Sequence, residues 1–265
     1  MAVRRWADLT TVEAGALGSD AVAVLPAGAI EQHGPHLPLS VDGDIAAGIL
    51  TGASTRLPVE LPVYALPALT VGVSVEHADF PGTLSLSAET FIRTVVEMGG
   101  GVAYSGVRRL VLLNGHGGQP QALDLAAQEL RHRHRMLVAV VNTFDLYDSS
   151  SFGEDEVKYG IHAGAVETSI MLALHPDAVR HAALADFESL TRTLKADFAL
   201  ASPQGKFGFA WQAQDLNPAG AVGNAKAADQ VRGRALVDEA SARLAQFLVE
   251  FSHLPLEILK SRGTT

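Results

Sequence analysis

Short apolar runs, each ending at a glycine or proline turn and each followed by a longer helical pattern, constrain this chain more than any other feature. Residues 21–26, 109–113 and 136–142 read as buried strands rich in Val and Leu. Helical patterns cover about 45–56, with Asp44 as the cap, then Ser87 through Glu89 towards Tyr104. They resume at 121–134, 165–174 and 226–251, the last with an apolar stripe at Ala228, Val231, Ala235, Leu236, Leu244, Phe247 and Leu248. The stretch 59–73 carries two prolines and reads as a strand with an irregular exit, and three glycines at 99–101 blur the end of the second helix. Strands alternating with helices predict an α/β fold on a mostly parallel sheet, helices on both faces, in one domain over 1–265.

Composition narrows the chemistry. The chain has 265 residues, 48% hydrophobic and 18% charged, as an ordinary globular protein does. A formal net charge of -9 gives no electrostatic reason to bind nucleic acid or an anionic membrane. With no cysteine, thiolate metal sites, cysteine nucleophiles and disulfides are all excluded, so any metal needs His, Asp and Glu. The first ten residues lack the apolar run of a signal peptide, and no stretch reaches the roughly 18 apolar residues of a membrane helix; a cytoplasmic location is expected.

In an open α/β sheet the site lies beyond the carboxyl ends of the strands, and the residues there are unusual. After the first strand come Glu31, Gln32, His33, Gly34, Pro35 and His36, with Asp42 a few residues on. Glu31 and His33 share one face of an extended chain, and imidazole with two carboxylates suits a divalent ion such as zinc or manganese. Any one of these residues alone would read as a surface charge or a turn. The strand ending at Leu113 leads into Asn114-Gly115-His116-Gly117-Gly118-Gln119. That loop has neither lysine nor Walker spacing, so a ligand role for His116 outweighs phosphate binding. The third cluster runs from His162 to Thr168. Its Glu167 falls in a first helical turn, where the dipole favours carboxylates in any case, and His162 suits a ligand or a proton carrier. His77 lies in a polar loop and either lines a pocket or covers one, whereas His132, His134, His175, His181 and His253 read as solvent-facing.

Taken in order, EQHGPHLPL with Asp42, NGHGG and HAGAVETS resemble the creatininase (creatinine amidohydrolase) family, and the run 217–224 is similar to its late glycine-rich loop. The resemblance implies a three-layer α/β/α sandwich, a homohexamer and two divalent ions, zinc or manganese, with iron as a further fit. Carried over by position, it implies Glu31, His33, Asp42 and His116 as metal ligands, Asp42 bridging, and His162 as the proton-moving catalytic residue. Two positions depart from the family pattern. Creatininase proper has a glutamate ligand where this chain has Gly118, so Glu167 is the carboxylate expected to complete the second metal. Its ring-holding tryptophan and glutamate align with Lys158 and Ile161, which argues against creatinine itself as substrate.

The expected activity is hydrolysis by a metal-activated water of a cyclic or N-formyl amide in a small molecule, with a creatininase-like peptidase acting on a short peptide as the alternative. Absence of a GxSxG elbow agrees with a water nucleophile. Two rivals from other classes are a mononuclear iron oxygenase built on His33, His116 and one carboxylate, and a non-catalytic metal-binding scaffold. Glu76, His77, Lys158, Tyr159 and Trp211 are the residues expected to shape the pocket.

Overall fold

The computed structural model describes residues 2–260. Its central sheet has five strands, β1 (Arg4–Arg5), β2 (Val22–Ala27), β3 (Val63–Ala65), β4 (Arg109–Asn114) and β5 (Leu137–Asn142), in the order β1-β3-β2-β4-β5 and parallel throughout. Helices α1 (Thr11–Gly15), α2 (Val41–Ser54), α3 (Ala88–Tyr104), α4 (Pro120–His134), α5 (Glu154–Tyr159), α6 (Ala165–Leu174), α7 (Leu190–Asp197), α8 (Ala213–Leu216) and α9 (Gln230–His253) surround it. None of the described helices is long and apolar enough to cross a membrane.

Strand residues alternate between two apolar layers, which is why the strands read as continuous hydrophobic runs. Val22, Val24, Val111 and Leu113 face a layer in which α2, α6 and α9 supply Ile49, Ile170, Met171 and Leu244. Ala23, Leu25, Leu110 and Leu112 face the layer of α3 and α4, with Phe91, Val95, Leu123 and Leu130. The expected α/β/α sandwich is therefore present.

Local boundaries differ from expectation for identifiable reasons. Helix α2 starts at Val41 with Ser40 as its N-cap residue, and Asp44 sits inside the first turn, where its carboxylate accepts from Ser40 Oγ at 2.7 Å. Asp42 thereby joins the same first turn, which favours acidic side chains. Of 59–73 only Val63–Ala65 remains strand, because Pro62 and Pro67 have no N–H for the ladder. Helix α3 continues through its glycines, held by the buried face of Val95, Val96 and Val102. Helix α9 begins at Gln230, capped by Asp229, whose carboxylate accepts from Arg232 N at 2.7 Å.

The register brings the chemistry to one edge. Pairing of β2 with β4 runs to Ala27 opposite Asn114, and the next amide, Gly115 N–H, donates to Ala27 O at 2.8 Å. Helix α2 starts directly against this edge. A Cβ on Gly28 would come within 2.6 Å of Gly43 N, so only glycine lets the strand end and helix approach. A separate two-stranded antiparallel ribbon pairs β6 (Asp186–Phe187) with β7 (Gly223–Asn224), and Val222, just before β7, bridges to His162.

Candidate metal centre

Four chain segments converge beyond the carboxyl edge of the sheet. The loop after β2 brings Glu31 and His33, and the first turn of α2 brings Asp42. The loop after β4 brings His116, and the first turn of α6 brings Glu167. Their ligand atoms form compact groups, Glu31 with Asp42 and His116, and His33 with Asp42 and Glu167; a third, overlapping group joins Glu31, His33 and His162. The expected ligands and His162 thus meet in one place.

Asp42 stands in the middle. Its Oδ1 lies 3.3 Å from His33 Nε2 and its Oδ2 lies 3.3 Å from His116 Nδ1. Glu31 Oε2 is 3.2 Å from His116 Nδ1, and Glu31 Oε1 is 3.8 Å from both His33 Nε2 and His162 Nδ1. The far nitrogens of the two imidazoles face backbone carbonyls, His33 Nδ1 at 3.1 Å from Glu31 O and His116 Nε2 at 2.9 Å from Val73 O. Donation to those carbonyls fixes the tautomer and turns the other nitrogen of each ring towards the carboxylates, as outer-shell partners of metal-bound histidines do.

These residues fit divalent cations on their own polar chemistry. Glu31 Oε1, His33 Nε2 and Asp42 Oδ2 are buried without a hydrogen-bond partner, a costly arrangement unless something else satisfies them. No lysine or arginine lies among the described residues lining this cavity. In the metal-free chain the imidazoles supply the missing positive charge. Burial pulls His33 down, but the adjacent Asp42 carboxylate outweighs it and holds the ring at about 9. His116 is likewise raised, against burial, by Glu31 and Asp42. Burial lifts Asp42 and Glu31, yet the facing imidazoles keep both below the ordinary carboxylate range. Glu167 goes the other way, pushed up by burial to about 7.

Glu167 has two duties. Besides facing His33 and Asp42, its carboxylate accepts from the Ala163 amide, at a residue held in the left-handed region at φ 55° directly after His162. The favourable helix-start position and the place in the cluster are compatible, since the two carboxylate oxygens can serve different partners.

His162 Nε2 lies 2.7 Å from Gln32 O and therefore donates there, leaving Nδ1 open towards Glu31. Its ring stacks on His77 at 4.2 Å between centroids. Burial and the neighbouring rings hold His162 well below the ordinary histidine range. His77 does line the cavity; its Nε2 is 3.6 Å from Glu31 Oε1 and its Nδ1 is 2.7 Å from Gln32 Nε2. Glu76 and Trp211 line the same cavity of about 600 Å³, as expected, whereas Lys158 is exposed and Tyr159 lines a separate cleft.

Several contributors were not evident in the sequence. Gln32 Nε2 meets His77 Nδ1 and donates to Gly220 O at 3.0 Å, so one amide links two loops. Ser74 Oγ donates to Glu31 Oε2 at 2.5 Å. Buried Glu156 accepts from the amides of Ala165 at 2.5 Å and Asn224 at 2.8 Å, tying the start of α6 to β7. Only the position of Gln32 inside the first motif offered any sequence signal. The other two residues act across long separations.

Known proteins resemble this chain in both sequence and fold. A family model described as creatinine amidohydrolase matches residues 7–248. The mycofactocin precursor peptide peptidase of Mycobacterium tuberculosis is 39% identical over 163 residues, a stretch that spans 60% of that relative and 59% of this chain. Its counterpart from Mycobacterium ulcerans is 32% identical over 233 residues, 84% of each. The creatinine amidohydrolase of Pseudomonas putida is 33% identical over 184 residues, 69% of that protein and 63% of this chain. Among solved structures, a creatinine amidohydrolase superposes with a TM-score of 0.75 at 28% identity, covering 94% of this chain and 98% of the other. A manganese form of creatininase gives 0.74 at 28% identity, covering 92% and 97%. With the family model spanning nearly the whole sequence and the fold shared with solved members, this chain belongs to the creatininase family of hydrolases.

Proposed function

We propose that the protein is a two-metal hydrolase that cleaves an amide bond in a short peptide or peptide-like molecule. The observation that carries this reading is the bridging posture of Asp42, whose two oxygens face His33 and His116, one from each ligand group. Glu31 and His116 would complete one ion, His33 and Glu167 the other. When bound, such a pair of divalent ions, zinc or manganese, supplies a water made acidic near neutral pH and a Lewis acid for a carbonyl.

The chain's own residues then do the positioning and the proton work. His162, neutral and with its Nε2–H given to Gln32 O, has Nδ1 free to take the proton of an attacking water and return it to the leaving nitrogen. Gln32 holds the His77 ring through its side-chain amide and the stacked His162 ring through its backbone carbonyl. The parallel α/β sheet with two ligand groups speaks against the single two-histidine, one-carboxylate iron centre.

Substrate size favours a peptide over a small ring. A cavity of about 600 Å³ falls in the range that encloses drug-sized ligands, and the positions aligned with the family's ring-holding residues are Lys158 and Ile161 here. Two of the relatives described above are peptidases, which puts the peptide bond ahead of a cyclic or N-formyl amide. The similarity to a creatinine amidohydrolase keeps that small amide as the second reading. Assembly as a homohexamer, implied by the family resemblance, is proposed with it and is checked by solution mass.

The test is metal content per chain in wild type and Glu167→Gln, a variant that keeps an acceptor for the Ala163 amide. Near two ions falling towards one supports the two-metal centre. One ion or none in both removes it.

A further inference from the structure

Glu76 is the one carboxylate of the cavity wall that belongs to none of the ligand groups. Its Oε1 lies 3.4 Å from His116 Nε2, but that nitrogen already faces Val73 O at 2.9 Å, so the imidazole has no second proton to offer there. The Glu76 side chain is 15% exposed, towards the cavity, and its carboxylate makes no other polar contact with a side chain among the described residues. Room for it is left by Gly118: a Cβ there would collide with Glu76 Oε1 and reach 2.5 Å from His116 Nε2. Trp211 lines the same cavity, its indole held by donation from Nε1 to Pro203 O at 3.0 Å. A carboxylate whose contact is this long one to His116, and an anchored indole, with no competing lysine or arginine, are the two kinds of group that hold an ammonium.

We infer that Glu76, helped by Trp211, is the specificity-determining residue that receives a protonated primary amine of the substrate while the amide lies at the metal centre. The inference rests on the amide-hydrolase reading and selects, within it, amine-bearing peptides over neutral cyclic amides.

Calorimetric titration with hydroxamates, which chelate the metals themselves, tests it without turnover. Glycine, β-alanine and 4-aminobutyric hydroxamates would be titrated into metal-loaded wild type and Glu76→Gln, each beside its N-acetyl counterpart. For the chain length that fits, wild type should bind the free amine about 10- to 100-fold more tightly than the acetylated form, as one charge-assisted hydrogen bond implies. Glu76→Gln should close that gap while keeping its metal content and its affinity for the acetylated form. No preference in wild type, or a preference that survives in Glu76→Gln, overturns the inference and leaves the hydrolase reading intact. Loss of metal from Glu76→Gln also overturns it, placing Glu76 in the coordination shell instead. Failure of metal-loaded wild type to bind any hydroxamate would count against the metal-centre reading, and the inference would fall with it.

Discussion

The two helical layers of this protein do different work on the same sheet. The layer of α3 and α4 is packed with Phe91, Val95, Leu123 and Leu130 and contributes no side chain to the ligand groups. The layer of α2, α6 and α9 is just as apolar in its middle, but α2 and α6 begin at the carboxyl edge with Asp42 and Glu167 in their first turns. One layer is built for cohesion alone. The other lends two helix starts, where carboxylates are electrostatically favoured, to a cluster whose own polar groups lack partners. Stability and chemistry are thereby separated by location, and substitutions in the two layers should separate them by measurement.

The largest effect should follow Asp42→Asn. It removes the charge from the group that faces both imidazoles, and hydrolytic kcat should fall about 1000-fold or more, the scale of losing a principal electrostatic element. Urea unfolding of the metal-free variant should show a folded chain of lower stability than wild type, because the buried His33 and His116 rings lose the carboxylate charge that faces them. A variant that keeps activity, or that unfolds outright, would break the separation.

Next comes Phe91→Ala in the opposite layer. Phe91 is fully buried in α3, and its truncation should cost about 3–5 kcal/mol in a urea titration. Metal bound per folded chain should stay at the wild-type value. Altered stoichiometry would show that the two layers are coupled.

The smallest effect is a pH dependence at His36, which accepts or donates at Thr168 Oγ1 over 3.0 Å and stacks on Phe187. Burial lowers His36 to about 4, against an ordinary value of 6.5. The neutral ring therefore contributes stability that is present above pH 6.5 and is lost as pH falls towards 4. Unfolding midpoints of wild type and His36→Gln, compared from pH 7.5 to 4.5, should converge as the pH drops. Curves that stay parallel would remove His36 from the acid sensitivity of this layer.

Much of both the fold and the centre could be read along the chain. The β2 and β4 runs and helix α6 stood at or within one residue of their places, because periodicity and turn residues report local structure directly. That Glu31, His33, Asp42, His116 and Glu167 come together could be anticipated because each follows a strand or opens a helix at the edge where parallel strands deliver their loops. The shifted start of α2 was not, since Ser40 and Asp44 both suit a cap and only packing of the helix against Gly28 decides between them.

What the linear chain determined by itself is the alternation of strand and helix, that any metal would have to be held by oxygen and imidazole groups in the absence of cysteine, and which short segments carry such groups. Tertiary structure alone decided that Glu76 fills the space left by Gly118, that the His77 ring stacks on His162, and that Glu156 ties α6 to β7. Most of those contacts join residues tens of positions apart through loops without periodicity. Their partners are set by how the strand ends line up and how closely glycine lets the backbones approach, neither of which leaves a repeating mark in the sequence.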